Sequence, residues 1–271
     1  MSYLIPRSRL SPLFEAGVVC RAAGIFLMLG VSLVLGAPLQ WLILRLEPRL
    51  SHALPRLFNR LLLRLVKVRV AVHGARPQAV PRLIVANHVS WTDVPALGTL
   101  YSICFLAKRE VSTWPIVASF ARLQRTVFVD RDKPSTIPRA NAAMAERMLE
   151  GACVALFPEG TTYDGSALGP FHSSHFGAAA ALAAVRFDGP GLRIHPVAIR
   201  YSSPAAAWCG DASLLPHVLG LIGGAPITCD LIFCAPLDFE AAADRKAVAE
   251  ECRARIAAAL AHEPISAPLR G

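Results

Sequence analysis

The segment Asn87-His88-Val89-Ser90-Trp91-Thr92-Asp93 carries the side chains best suited to chemistry. A neutral imidazole takes a proton from a hydroxyl when an acceptor holds its other nitrogen. Asp93, five residues after His88, offers that acceptor across a turn that Ser90 helps to shape. No Gly-x-Ser-x-Gly elbow stands beside the pair, so the attacking hydroxyl is expected to belong to a substrate, with no covalent enzyme intermediate. Taken alone, a histidine and an aspartate at this spacing fit a structural role better than a catalytic one.

The elements that must position this pair follow from patterning. Leu83 to Ala86 is a short apolar strand, so His88 follows a strand end, where α/β sheets place ligand sites. Further strands are expected near Val66 to Val72, Ile103 to Ala107, Thr126 to Val129, Cys153 to Phe157, Arg193 to Ile199 and Thr228 to Cys234. Arg139 to Glu150, Ala178 to Ala184 and Asp244 to His262 read as helices, and Asp132 to Pro138 as a polar, proline-bounded loop. The expected class is α/β: a mostly parallel central sheet of about seven strands flanked by helices, behind an N-terminal hydrophobic segment.

Composition points to a membrane. Of 271 residues 54% are hydrophobic and only 17% charged, more apolar and less charged than an ordinary soluble protein. Ala22 to Leu44 is an uncharged run of 23 residues, enough to cross a hydrocarbon core as a helix. Pro38 either kinks that helix or divides it into a hairpin confined to one leaflet. The net charge of +9 is concentrated after this run: Arg45, Arg49, Arg56, Arg60, Arg64, Lys67 and Arg69 stand against Glu47 alone. This juxtamembrane pattern suits anionic lipid rather than nucleic acid, and it predicts that everything after Leu44 faces the cytoplasm. Arg56, Arg60 and Arg64 share one face of a helix fitted to the headgroup layer, or to solvent on a core helix. Residues 1–65 are thus read as an anchor and 66–271 as the α/β domain. The seven cysteines are an odd set without a Cys-x-x-Cys pair and read as free thiols, with no metal and no cofactor implied.

Three further blocks follow the first in order: Thr126-Val127-Phe128-Val129-Asp130-Arg131, Phe157-Pro158-Glu159-Gly160-Thr161 and His195-Pro196-Val197-Ala198-Ile199. With Asn87, His88 and Asp93, they make the chain resemble the lysophospholipid and glycerol-phosphate acyltransferase family over most of its length after the anchor. The resemblance implies direct transfer of a fatty acyl group from an acyl thioester, acyl-CoA or acyl carrier protein, to a lysolipid hydroxyl. His88 and Asp93 would be catalytic, and Asn87, Ser90, Lys108, Arg131, Glu159, Gly160 and Thr161 would bind substrate. Arg131 suits a bidentate phosphate contact, Gly160 admits close backbone approach, and Thr161 can meet an anionic headgroup. Glu159 would orient a cation or a hydroxyl, or cap the next turn. Lys108 adds charge to the pocket or is simply solvated, while His172 and His175 read as structural or surface residues. The family often has glycine where this chain has Arg125, which bears on the local backbone path.

The primary acceptor expected is 1-acylglycerol 3-phosphate, because Arg131 and the basic setting favour a phosphate. The alternative is a lyso-ornithine lipid. Phe157 to Gly165 and Trp208-Cys209-Gly210-Asp211 look similar to that bacterial branch, with Asp164 or Asp211 to meet an amine. Leu214 to Ile222 is too short to span a bilayer and either dips into the interface, lines an acyl groove or packs in the core. A non-catalytic lipid-binding protein is the reading of another class; intact His88 and Asp93 argue against it.

Overall fold

A computed structural model describes residues 12–46, 53–77, 83–130, 133–184, 192–239 and 244–262. Its centre is a sheet whose strands are β1 (Val68–Gly74), β2 (Leu83–Ala86), β3 (Ile103–Lys108), β4 (Val127–Val129), β5 (Cys153–Leu156), β6 (Leu192–Tyr201), β7 (Ile227–Phe233) and β8 (Leu237–Phe239). The order is β1-β7-β6-β2-β5-β3-β4, with β8 paired to β6. All pairs are parallel except β6 with β7 and β6 with β8. Among the described residues eight strands therefore stand where about seven were expected. β8 has three residues and follows Pro236 directly, too short to show an alternating pattern.

β2 and β5 are buried at every position because both faces of the sheet are covered, which is why each reads as an unbroken apolar run. One face packs against α3 (Ala53–Leu65) and α4 (Asp93–Gly98), joining Leu63, Leu97, Phe105 and Leu231 in one core. The other packs against α6 (Ile137–Leu149), α7 (Gly177–Ala184) and α9 (Arg245–Ala261), around Met144, Met148, Phe176 and Cys252. Asp244 accepts the Lys246 N–H to start α9, and Pro138 enters the first turn of α6, so the expected loop ends earlier than Pro138. β1 begins at Val68 rather than Val66, since the Val66 N–H still bonds Leu62 and Lys67 turns through a φ of 61°.

Before the sheet, α1 (Pro12–Val31), a π-helical turn at Ser32–Gly36 and α2 (Ala37–Leu46) form one apolar rod, Glu15–Leu46, of 32 residues. Pro38 lacks an N–H and its ring would strike the carbonyl four residues back, and the wider turn relieves that contact. There the Ala37 N–H donates to Ser32, one residue further back than in an α-helix, so the chain continues through Pro38 without reversing. Of the two alternatives open at Pro38, the division into a hairpin is therefore absent. Instead α3 folds back along the rod: Leu65 comes so near Gly24 that a Cβ there would lie 3.2 Å from it. Phe58 of α3 also stacks on Phe120 of α5 (Pro115–Leu123), with centroids 4.7 Å apart. An apolar groove of about 460 Å³ runs between the rod, α3 and α5.

The juxtamembrane cations have distinct fates. Arg21 of α1 donates to the carbonyls of Arg64 and Leu65 at the end of α3. Lys67 caps α8 (Leu214–Gly223) through the carbonyls of Ile222 and Gly224. Arg60, Arg64, Arg69 and Arg76 line an open basic groove beside β1. Burial, with Arg60 and Arg76 close by, lowers the pKa of Arg56.

Arg125 occupies the left-handed position that ends α5, at a φ of 60°. Its N–H bonds Arg122 and that of Thr126 bonds Ala121, the pattern in which glycine is favoured. The backbone path expected of a glycine is therefore kept, and the Arg125 side chain is held by Glu150. Arg125→Gly and Arg125→Ala both lose that ion pair, but only alanine retains the strained geometry. In thermal denaturation of the detergent-solubilised protein the glycine variant is expected to exceed the alanine variant by about 1 kcal/mol. Equal stability would contradict the assignment.

Candidate active site

The parallel pairing of β2 with β5 and β6 brings three strand ends together. Asn87, next after β2, is 2% exposed and spends its amide on β6: Nδ2 donates to the Ile199 carbonyl at 2.9 Å and Oδ1 accepts its N–H at 2.7 Å. From β5, Glu159 accepts the His88 N–H through Oε2 at 2.6 Å and the Gly169 N–H through Oε1 at 2.8 Å. The His88 carbonyl accepts from Tyr163 and that of Val89 from Trp208, each at 2.9 Å. Thr162 closes the ring of contacts by donating its hydroxyl to the Trp208 carbonyl.

Within this frame His88 Nδ1 lies 2.7 Å from Asp93 Oδ2, which also accepts the N–H groups of Val89 at 2.7 Å and Ser90 at 2.9 Å. The Asp93 side chain is fully buried and that of His88 is 20% exposed. A carboxylate acceptor assigns the proton to Nδ1 and leaves the Nε2 lone pair free. Phe157 stacks on the imidazole, with centroids 4.1 Å apart and planes at 15°, and Phe105 lies parallel behind it at 6.2 Å. The ring is thus fixed on one face by packing and on one edge by charge.

A cleft of about 450 Å³ opens next to Phe157 and Glu159, the residues that hold His88, and is bordered also by Gly160, Thr161, Lys108 and His172; neither His88 nor Asp93 lines it. Gly160 has a φ of 74°, so the backbone turns into the cleft without a side chain, and Thr161 is exposed there. Lys108 stands exposed at the end of β3. His172 and His175, read from sequence as structural or surface residues, both reach the cleft wall. They follow the Phe157 block across an irregular loop, where no periodicity signals orientation. Arg131 lies outside the described residues.

Three sequence assignments change. Ser90 is fully buried and its Oγ accepts the Thr92 N–H at 3.3 Å, so it shapes the turn and cannot touch a substrate. Asn87 is likewise buried, with both side-chain polar atoms engaged by Ile199 rather than by a ligand. Glu159 is 3% exposed with each oxygen bonded to a backbone N–H, which makes it a brace rather than the holder of a cation. Burial raises the Glu159 pKa, while the His88 and Gly169 donors oppose the rise. Asp164, one candidate for an amine contact, turns to its own loop and accepts the N–H and O–H of Ser166, which lower its pKa. α8 divides its faces: Leu221 and Ile222 are buried, Leu215 and Leu219 exposed, and His217 accepts the indole N–H of Trp91 at 3.0 Å.

Residues 69–200 match the family model described as Acyltransferase. A lyso-ornithine lipid O-acyltransferase of Brucella abortus is 37% identical over 245 residues, covering 86% of this chain and 91% of that protein. The chain belongs to the acyltransferase family. A second lyso-ornithine lipid O-acyltransferase, of Rhizobium meliloti, is 38% identical over 241 residues, covering 85% of this chain and 82% of that one. A 1-acyl-sn-glycerol-3-phosphate acyltransferase of Neisseria gonorrhoeae is 29% identical over 186 residues, covering 67% and 70%. The crystal structure of the 1-acyl-sn-glycerophosphate acyltransferase PlsC from Thermotoga maritima shares the fold, with a TM-score of 0.61 and 21% identity over 93% of this chain and 99% of that one. This acyltransferase is thus an O-acyltransferase that acts on lysolipids, and its 32-residue apolar rod points to membrane association.

In the acyltransferase, Glu159→Gln replaces one acceptor oxygen by an NH2 group that must face a buried N–H. The variant is expected to lose about 1–3 kcal/mol of stability. Its turnover should fall roughly tenfold or more as the His88 backbone shifts. Thermal denaturation and initial rates of acyl transfer check both, and wild-type values in each would rule out the bracing role.

Proposed function

We propose that the acyltransferase moves a fatty acyl group from an acyl thioester to the free hydroxyl of a lyso-ornithine lipid. The acceptor rests on one observation: two lyso-ornithine lipid acyltransferases align with more than four fifths of this chain at 37% and 38% identity. This reverses the order of acceptors expected from the sequence. The second reading, 1-acylglycerol 3-phosphate, is favoured by the Neisseria relative and by Lys108 on the cleft wall.

His88 Nε2 takes the proton of the acceptor hydroxyl as its oxygen attacks the thioester carbonyl carbon. The tetrahedral intermediate collapses with cleavage of the carbon–sulfur bond, and the leaving thiolate receives the proton from the imidazolium. The ester product and a free thiol result, and the histidine returns to its starting state. Asp93 holds Nδ1–H throughout and stabilises the transient imidazolium. No residue of the turn offers a competing nucleophile, since the Ser90 hydroxyl is buried and engaged. Lys108, Thr161 and the backbone at Gly160 would hold the anionic part of the headgroup, a carboxylate in one reading and a phosphate in the other, and the family motif assigns the same role to Arg131. The donor is acyl-CoA or acyl carrier protein. The reading places the catalytic domain at the cytoplasmic face of a bacterial inner membrane, supported by the basic residues that follow the rod.

The purified enzyme in mixed micelles, given radiolabelled acyl-CoA or acyl carrier protein and a panel of lysolipids, is expected to label lyso-ornithine lipid at least about tenfold faster than 1-acylglycerol 3-phosphate, a preference worth about 1.4 kcal/mol. The opposite preference would establish the second acceptor. His88→Ala should abolish labelling of every acceptor, and turnover that survives it unchanged would remove the proposed base.

A further inference from the structure

The catalytic turn accounts for only one oxygen of Asp93. Oδ2 gathers His88, Val89 and Ser90, whereas Oδ1 points away from them into the sheet. It meets Tyr201, the last residue of β6, whose hydroxyl oxygen lies 2.6 Å from Oδ1. An ionised carboxylate only accepts, so the phenol donates to it. The Tyr201 oxygen is in turn 2.7 Å from Thr92 Oγ1, which is left to donate to the phenol. A chain of hydrogen bonds thus runs from Thr92 through Tyr201 and Asp93 to His88.

The strand register explains the reach. Asn87 clamps Ile199, and two residues further along β6 the alternation of side chains puts Tyr201 on the same face, under α4. The titratable groups around this chain are His88 on the turn, Glu159 after β5, and Cys229 and Asp230 on β7. Burial and the charge of Asp93 push both the Tyr201 phenol and the Cys229 thiol well above their ordinary ranges, so both stay neutral.

We infer that Tyr201 is a positioning residue for acyl transfer: its hydrogen bond to Oδ1 fixes the rotation of the Asp93 carboxylate, so that Oδ2 faces His88 Nδ1. The inference rests on the reading of His88 as the base. Without the phenol donor, Oδ1 has no partner in a site that excludes water. The carboxylate is then free to rotate, and its less-shared charge makes the imidazolium less acidic, so that Nε2 returns its proton more slowly to the leaving thiolate.

The test is the pH dependence of kcat and kcat/KM for Tyr201→Phe, measured beside wild type and His88→Ala. The phenylalanine variant is expected to lose roughly tenfold in kcat with KM for donor and acceptor unchanged within about twofold, and the acidic limb of its profile should move up by about half to one pH unit. A merely structural tyrosine would leave that limb in place. Wild-type kcat and limb in Tyr201→Phe, with His88→Ala inactive, would overturn the positioning role and leave the base intact. Turnover in His88→Ala would instead remove the base. Should Tyr201→Phe fail to fold, 3-fluorotyrosine at position 201 keeps the shape and makes the phenol a stronger donor. The acidic limb then moves down, and an unmoved limb overturns the inference.

Discussion

A carboxylate with no exposed surface governs this architecture. A bare buried charge is costly, and it persists only where hydrogen-bond donors replace the water it has lost. Asp93 collects four: the imidazole and two backbone N–H groups of its own turn, and a phenol from β6. Each donor restricts the chain. The two N–H groups force residues 88–93 into a tight turn, which only a strand end leading directly into a helix can supply. The phenol requires β6 to lie beside β2 in a set register, and Asn87 secures that register through both backbone groups of Ile199. The reactive nitrogen is the one polar edge of His88 left over once these demands are met.

The same economy explains Glu159. A second buried carboxylate beside Asp93 adds repulsion and desolvation, and its two backbone donors offset part of both. What results is a join between the ends of β2 and β5, across which the Phe157 ring lies flat on the imidazole. The cleft beside Phe157 is therefore walled on one side by Glu159, the brace of His88 itself. Further out, α3 serves two surfaces at once: Phe58 faces the rod and α5, while Arg60 and Arg64 border the basic groove beside β1. The apolar rod is coupled to the domain through this helix and through α8, whose His217 meets Trp91 of the catalytic turn. Membrane-facing elements and reacting groups are thus a few side chains apart.

The sheet was legible in the sequence wherever burial on both faces leaves an unbroken apolar run, as in β2 and β5. It was not legible in β8, whose three residues follow a proline and include Asp238, whereas the equally short β4 is an unbroken apolar Val-Phe-Val. The pair of His88 and Asp93 could be read because both members lie within one turn. Tyr201 could not, since 108 residues separate it from Asp93 and only the β2 to β6 pairing brings them together. Residue type misled where direction mattered: Ser90, Asn87 and Glu159 are polar and sit in motifs, yet they point inward and serve the backbone. Arg125 shows the converse, a bulky residue that departs from an expected glycine while the chain around it keeps the glycine conformation.

The central claim is that Asp93 fixes one tautomer of His88, and nitrogen NMR of the protein labelled with ¹⁵N-histidine tests it directly. At a pH where the ring is neutral, the account predicts a His88 signal with Nδ1 protonated and Nε2 unprotonated, assigned by its loss in His88→Ala. A proton resident on Nε2, or two nitrogens averaged by exchange between tautomers, would contradict it.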